Sequence, residues 1–225
     1  GATRGIGKAI AKTLDGNIYA TARNELLLKE YKNYFVCDLN KKEDLVNLGD
    51  YICDNKIDVL INNAGVYEYS DIEKVSYEQI NNIINVNLAA PLYLISRAVP
   101  HMKSQRWGRI INIGSISGVM GEACAGIYSS SKSGLIGISK SLGLELAEYG
   151  ITVNTINPGW VETDMGNCSA EEGDWTKEEV VQCIPQKRFV SPIEIAGMVK
   201  YLISDDARGV TGQSINLCAG LSVGY

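Results

Sequence analysis

Tyr128 and Lys132 stand one helical turn apart, so a helix through them would present a phenol and an ammonium on the same face. A free tyrosine holds its proton up to about pH 10 and needs help to exchange it near neutrality. A neighbouring cation gives that help by stabilising the phenolate, which would make Tyr128 a general acid, or a base in the reverse direction. Ser115 and Asn87 supply a hydroxyl and an amide upstream of the pair. Taken one at a time, each residue has a plainer explanation: Tyr128 and Lys132 as a surface pair, Ser115 and Asn87 as turn or capping residues.

A second group with chemistry in it lies at the other end of the sequence. Gly1, Ala2, Thr3, Arg4, Gly5, Ile6 and Gly7 lead into a helical pattern from Lys8 to Leu14. Glycines let a backbone approach a phosphate closely, and a helix start offers unpaired N–H groups and a partial positive charge. A glycine cluster alone serves equally well as a turn without a ligand.

These groups need a scaffold. Short β-rich runs alternate with amphipathic stretches, the pattern of a parallel sheet with helices on both faces. Strands are expected from Ile18 to Ala22, Tyr34 to Cys37, Val59 to Asn62, Arg109 to Ile113, Thr152 to Ile156 and Ser214 to Leu217, with Val and Ile suited to burial on both sides. Ser76 with Gln79 makes a capping box for a long helix towards Met102, which Pro91 and Pro100 should bend or fray. A second long helix is expected from about Ile127 to Tyr149, with Leu135, Ile138, Leu142 and Leu146 as its apolar stripe and Gly150 as its end. The elements predict a single α/β domain over residues 1–225, a Rossmann-type doubly wound parallel sheet. No apolar strand precedes the glycine turn, so a central first strand is expected to be missing from this sequence, leaving its neighbours unpaired and the core open.

Composition narrows the function classes. Hydrophobic residues at 45% and charged residues at 21% suit a soluble globular domain, and no apolar run is expected to span a bilayer. The net charge of −5 comes without basic clusters, which argues against nucleic acid. The six cysteines, Cys37, Cys53, Cys124, Cys168, Cys183 and Cys218, form no C-x-x-C pair, and His101 is the only histidine. No metal site is therefore expected, and the thiols read as reduced and mostly buried. With no leader in view, cytoplasmic residence is the expectation.

In their order along the chain, these features resemble the short-chain dehydrogenase/reductase family from end to end. The G-x-x-x-G-x-G turn is similar to that family's cofactor loop, and Asn62-Asn63-Ala64-Gly65 follows the fourth-strand position. Asn87, Ser115 and Tyr128-x-x-x-Lys132 match its catalytic residues, and Pro158-Gly159 with Val161 and Thr163 stand where members close over the nicotinamide end of the cofactor. The resemblance implies an enzyme that moves a hydride between a nicotinamide ring and a carbonyl or alcohol carbon. It gives Tyr128 the proton transfer, Lys132 a bond to the nicotinamide ribose, Ser115 the substrate oxygen, and Asn87 a water linking Lys132 to solvent. It also implies cofactor contacts from the turn residues 1–7, from Asn63, Ala64 and Gly65, and from Tyr128 beside Lys132.

Users of NAD place an acid after the second strand, on the ribose 2′-hydroxyl. Ala22 stands there instead, and Arg23 follows it. Together with Arg4 it offers guanidinium groups to a 2′-phosphate, so NADP(H) is expected over NAD(H). The alternative leaves Arg23 facing solvent and Arg4 capping a helix. By resemblance Asp38 and Leu39 flank the adenine.

Within the family, the turn, the stretch Trp107 to Ser115 and Glu162-Thr163-Asp164-Met165 resemble 3-oxoacyl-[acyl carrier protein] reductases, which implies a 3-oxoacyl thioester substrate. Acyl carrier protein is acidic, whereas Glu145 and Glu148 sit at the end of the catalytic helix; Lys103, Arg106 and Lys140 offset them in part. The alternatives are another ketone, sugar, polyol or steroid-like alcohol and, in a different class, a non-catalytic dinucleotide-binding protein. Substrate contacts are expected from Met120 to Gly126 and between Thr163 and Pro185, with a mobile lid at Gly166 to Gly173. Trp160, Trp175, Met165 and Cys168 are candidates for an apolar pocket. Ile113 two residues before Ser115 breaks the G-x-S-x-G elbow of a serine hydrolase. The two long helices and the apolar stretch from Ser214 to Tyr225 resemble subunit-pairing surfaces, so a homotetramer or dimer is expected.

Overall fold

The computed structural model describes residues 1–166, 173 and 175–223. Its elements in chain order are α1 (Gly5–Thr13), β1 (Tyr19–Ala22), β2 (Asn33–Val36), α2 (Lys42–Asp54), β3 (Val59–Asn62), α3 (Tyr77–Ile84), α4 (Ala90–Gln105) and β4 (Gly108–Ile113). Then follow α5 (Ser117–Met120), α6 (Gly126–Leu146), β5 (Ile151–Pro158), α7 (Lys177–Cys183), α8 (Pro192–Ile203) and β6 (Ser214–Leu217). Every strand pair is parallel, as short β-runs separated by helices require.

The two faces of the sheet can be read from alternation along β4. Ile111 and Ile113 join one apolar cluster with Ile10 of α1 and Val199 and Leu202 of α8. Ile110 points the other way, into a cluster with Ile52 of α2 and Leu94 and Ile95 of α4. On β5, Ile156 belongs to the first cluster and Ile151 and Val153 to the second. Helices thus cover both faces, and β4 and β5 are buried at every position.

The strands order as β1-β2 in one sheet and β3-β4-β5-β6 in another. Between β1 and β3 lies a cleft of about 510 Å³ bordered by Ala20, Phe35, Leu48, Leu60 and Leu94. Among the described residues no strand runs through it.

Burial on both faces does not come from Val and Ile alone. Asn112, Asn154, Thr155 and Asn157 are fully buried on the two central strands. Asn62 donates to Asn112 (2.9 Å), Asn112 donates to Ser139 on α6 (2.9 Å), and Ser139 meets Thr155 at 2.7 Å. This chain of side-chain bonds ties β3, β4, α6 and β5 together and supplies the partners that buried polar groups need.

The long helix after Ser76 starts as expected, with both arms of the capping box formed. Its interruption differs from the expectation. A π-turn spans Asn85–Ala89, and the Ala90 N–H reaches back five residues to the Asn85 carbonyl. Pro91 lacks the N–H that would take the Asn87 carbonyl in an α-ladder, which favours the wider turn upstream of the proline. The continuous stretch Tyr77–Gln105 is, by length and composition, apolar enough to cross a membrane, contrary to the reading of the sequence. Much of that apolarity faces the protein, through Ile83, Val86, Ala90, Leu94, Ile95, Ala98 and Met102. The catalytic-helix candidate runs Gly126–Leu146, followed by a 3-10 turn over Ala147–Tyr149, and Gly150 ends it in the left-handed region at φ +71°.

The thiols correct another expectation. Cys37 and Cys218 are buried, but Cys53 and Cys124 are partly exposed and Cys183 is exposed at the end of α7, while Cys168 lies outside the described residues.

Candidate active site

Helix α6 carries Tyr128 and Lys132 into the protein. They are 8% and 4% exposed, which overturns the surface-pair explanation. The Lys132 ammonium donates to the Ile113 carbonyl (2.9 Å), at the end of β4, and lies 5.6 Å from the centre of the Tyr128 ring. That is its only hydrogen bond among the described residues, so a buried three-proton donor has capacity left. Ser115 stands two residues past the end of β4; its oxygen accepts from the Ser117 N–H (3.1 Å), and its hydroxyl donates to the Ser117 hydroxyl (3.1 Å).

Burial dominates the titration of both groups. It pushes the Tyr128 phenol up to about 12, opposed by a hydrogen bond with Ser115 and reinforced by the charge of Glu122. It brings Lys132 down to about 8. The spacing suggests a cation lowering the tyrosine; burial instead dominates and leaves the phenol above its ordinary range.

Asn87 sits in the π-turn, fully buried. Its side chain clamps Val66, donating to the carbonyl and accepting from the N–H at 2.8 Å each, and it donates to Ser131 at 3.2 Å. Both amide protons are spent, and the clamp holds the chain just after Asn63-Ala64-Gly65. A Cβ on Gly65 would stand 3.4 Å from the Asn87 Oδ1 and 3.5 Å from the Lys132 Nζ, so this backbone passes close to both.

A cleft of about 800 Å³ connects these side chains to the glycine turn. Gly1, Thr3, Arg4, Gly5 and Ile6 border one end, with Arg23, Asp38 and Leu39 beyond them; Asn63, Ala64 and Gly65 form its floor; Ser115, Tyr128, Lys132, Pro158, Gly159, Val161 and Thr163 border the other. Ala2 and Gly7 do not face the cleft. Ala2 accepts a bond from Tyr31 (2.7 Å), and Gly7 is buried behind the turn, where a Cβ would collide with the Gly1 carbonyl 1.8 Å away. The close packing needs that glycine, and Asn63 holds the Gly1 carbonyl at 2.9 Å.

The turn fits a dinucleotide. The first turn of α1 contains no acid, and Arg4 stands at its N-cap position, as the alternative reading has it, with a side chain that bonds none of the N–H groups there. Thr21 Oγ1, at the edge of the cleft, is buried with no partner among the described residues. Arg23 is exposed at the cleft rim. Arg4 reaches Asp164 at 3.6 Å, an exposed pair that holds it only weakly.

Three polar residues near Tyr128 were not singled out by the sequence. Tyr67 packs its ring edge-on to Tyr128 (5.0 Å) and donates to Glu122 (2.8 Å), and Ser117 donates to the other Glu122 oxygen (2.6 Å). Glu122 falls within the stretch Met120 to Gly126 expected to meet substrate; Tyr67 stands two residues past Asn62-Asn63-Ala64-Gly65, the nearest signal for it. Met120, Trp160 and Met165 border the cleft, whereas Trp175 does not and Cys168 is outside the described residues, as is most of the expected lid at Gly166 to Gly173.

A family model described as enoyl-(acyl carrier protein) reductase matches residues 1–222. The chain is 36% identical to the 3-oxoacyl-[acyl-carrier-protein] reductase of Rickettsia felis, over 98% of this chain and 94% of the relative. It is 35% identical to the enzyme of the same description from Salmonella typhimurium, with the same coverage. Among solved structures it is similar to a variant of actinorhodin polyketide ketoreductase with NADPH, at 34% identity and a TM-score of 0.92, over 100% of this chain and 95% of the other. A Beutenbergia cavernae protein described as a candidate NAD(P)-dependent gluconate 5-dehydrogenase, with bound NADP, superposes with a TM-score of 0.92 at 28% identity, over 98% and 94% of the two chains.

Proposed function

This chain belongs to the short-chain dehydrogenase/reductase family and is an NADP(H)-dependent carbonyl oxidoreductase, and on that premise we propose that its substrate is a 3-oxoacyl thioester, reduced to the 3-hydroxyacyl product. The observation that carries the chemistry is the meeting of Ser115, Tyr128 and Lys132 at one end of a cleft whose other end is the glycine turn. The relatives' descriptions support the thioester.

The N-terminal N–H groups of α1 would receive the cofactor's diphosphate, and Arg23 with Arg4 its 2′-phosphate. Lys132, with donors to spare, would hold the nicotinamide ribose. When bound, NADPH supplies the hydride. Ser115 turns its hydroxyl from Ser117 to the substrate oxygen and fixes the carbonyl against Tyr128. Tyr128 then gives its proton to that oxygen, and the Lys132 charge stabilises the phenolate left behind. Asn87 keeps the Val66 backbone in place beneath them.

The test follows oxidation of NADPH and of NADH with an acetoacetyl thioester and a panel of simple ketones. NADPH-dependent turnover of the thioester supports the proposal; turnover of other ketones only would keep the chemistry and discard the substrate. In the same assay, Arg23→Ala is expected to weaken NADPH use about 10- to 100-fold, the value of a charge-assisted bond, with NADH use unchanged. Equal losses with both cofactors would remove Arg23 from the 2′-phosphate site.

The assembly we infer is a homotetramer. Leu92 on α4 and Leu144 on α6 are 47% and 85% exposed, and β6 is an open sheet edge. Light scattering after gel filtration is expected to return four chains; a monomer would overturn this. Cytoplasmic residence, where free thiols such as Cys183 stay reduced, is part of the same proposal.

A further inference from the structure

Glu122 brings a carboxylate to the carbonyl end of the cleft, where the mechanism above gives it no part. Two routes of contact tie it to the reacting side chains. One runs from Glu122 Oε2 through the Ser117 hydroxyl (2.6 Å) to the Ser115 hydroxyl (3.1 Å). The other runs from Glu122 Oε1 through the Tyr67 hydroxyl (2.8 Å) to the Tyr67 ring, packed against Tyr128 at 5.0 Å. Two hydrogen bonds in series put the carboxylate within roughly 6 Å of the Ser115 oxygen, which is to receive the substrate carbonyl. Among the described residues the two partners of Glu122 are hydroxyls, and neither cancels its charge. That charge is felt at the reacting phenol, since it helps to hold Tyr128 above its ordinary range.

We propose that Glu122 is a specificity-determining residue that rejects substrates carrying an anionic group next to the reacting carbonyl. A 3-oxoacyl chain presented as a neutral thioester or ester enters, and the free 3-oxo acid, with a carboxylate one carbon from the ketone, does not. The inference rests on the carbonyl-reductase reading and deepens it by stating the charge its substrate can carry. The repulsion between like charges at this separation, in a partly exposed site, is large enough for discrimination on the order of tenfold. The two bonds that Glu122 accepts also fix it in place, so the charge does not swing away into solvent as substrate arrives.

The experiment measures kcat/KM at saturating NADPH for ethyl acetoacetate and for acetoacetate, in the wild type and in Glu122→Gln. The amide keeps the size of the side chain and can accept at one oxygen, but carries no charge. The expected result is that the ester-to-acid ratio falls at least about tenfold in the variant, chiefly because acetoacetate improves. A second measurement needs no variant. Raising ionic strength screens the carboxylate, so the wild-type ratio should narrow with salt as the acid gains on the ester. A ratio unchanged within about twofold in Glu122→Gln, or in the wild type across salt should the variant fail to fold, overturns the role of Glu122 while ester turnover leaves the parent reading standing. No NADPH-dependent turnover of any ketone by the wild type, the ester included, would overturn the parent reading and this inference with it.

Discussion

Tyr128→Phe is expected to lower kcat for ketone reduction on the order of 10²–10⁴-fold while leaving NADPH affinity unchanged. The hydroxyl is the group that touches the reacting oxygen in the proposed mechanism. The ring, by contrast, does the packing, edge-on to Tyr67, and phenylalanine preserves that contact. Removing the Tyr128 hydroxyl should cost little stability, because Ser115 keeps Ser117 as a hydrogen-bond partner. A variant that melts normally, binds NADPH and has lost turnover would place the defect in proton transfer. Retention of a tenth or more of the activity would show that another group protonates the substrate. The pH profile adds a sign. Since burial holds the Tyr128 proton up to about 12, the acid is present across the working range, and a decline in wild-type reduction above about pH 8 would belong to loss of the Lys132 charge.

The parts of this site that sequence could reveal are those set by local spacing. Tyr128 and Lys132 meet because α6 repeats every 3.6 residues, and Ser76 with Gln79 caps α3 through bonds made within four residues. The limits of β3 follow from a short apolar run closed by Asn62, and those of β6 from the alternation of Ser214, Ile215, Asn216 and Leu217. What was not legible depends on residues brought together from far along the chain. Asn112 reads as an exception in an apolar strand until Asn62 and Ser139 stand on either side of it. The π-turn at Asn85–Ala89 occurs with Pro91 just downstream and with the Asn87 clamp on Val66, neither of which has a periodic signature. Burial of Tyr128 and Lys132 reverses the electrostatics that their spacing suggested, because desolvation is a property of the whole surroundings and not of the pair.

Lys132→Met is expected to abolish most reduction and, at neutral pH, to make the protein more stable. Lys132 is 4% exposed, and among the described residues its ammonium has no carboxylate partner and makes one bond, to the Ile113 carbonyl. Depressing its pKa from 10.5 to about 8 corresponds to about 3 kcal/mol of cost to the folded state for holding the charge. Methionine fills similar space without charge, and orphaning the Ile113 carbonyl returns about 1 kcal/mol of that gain. The net is a stabilisation of about 2 kcal/mol, or a rise of roughly 4–8 °C in Tm for a chain of this size. The sign with pH separates this cause from better packing. Below about pH 8 the folded and unfolded chains both keep the proton, and the wild type bears the full cost. Between about 8 and 10.5 the unfolded chain binds more protons at this lysine than the folded one, so its contribution to wild-type stability rises with pH. Denaturant unfolding of the two proteins should therefore show a gap near pH 7 that shrinks as pH rises through that window. A gap that stays constant would assign the effect to packing, and a variant less stable than the wild type at pH 7 would mean that the buried ammonium has support in the fold beyond its one bond to Ile113. The proposed chemistry explains why such a cost persists: the charge that destabilises the resting protein is the charge that the Tyr128 phenolate requires once its proton has gone to the substrate.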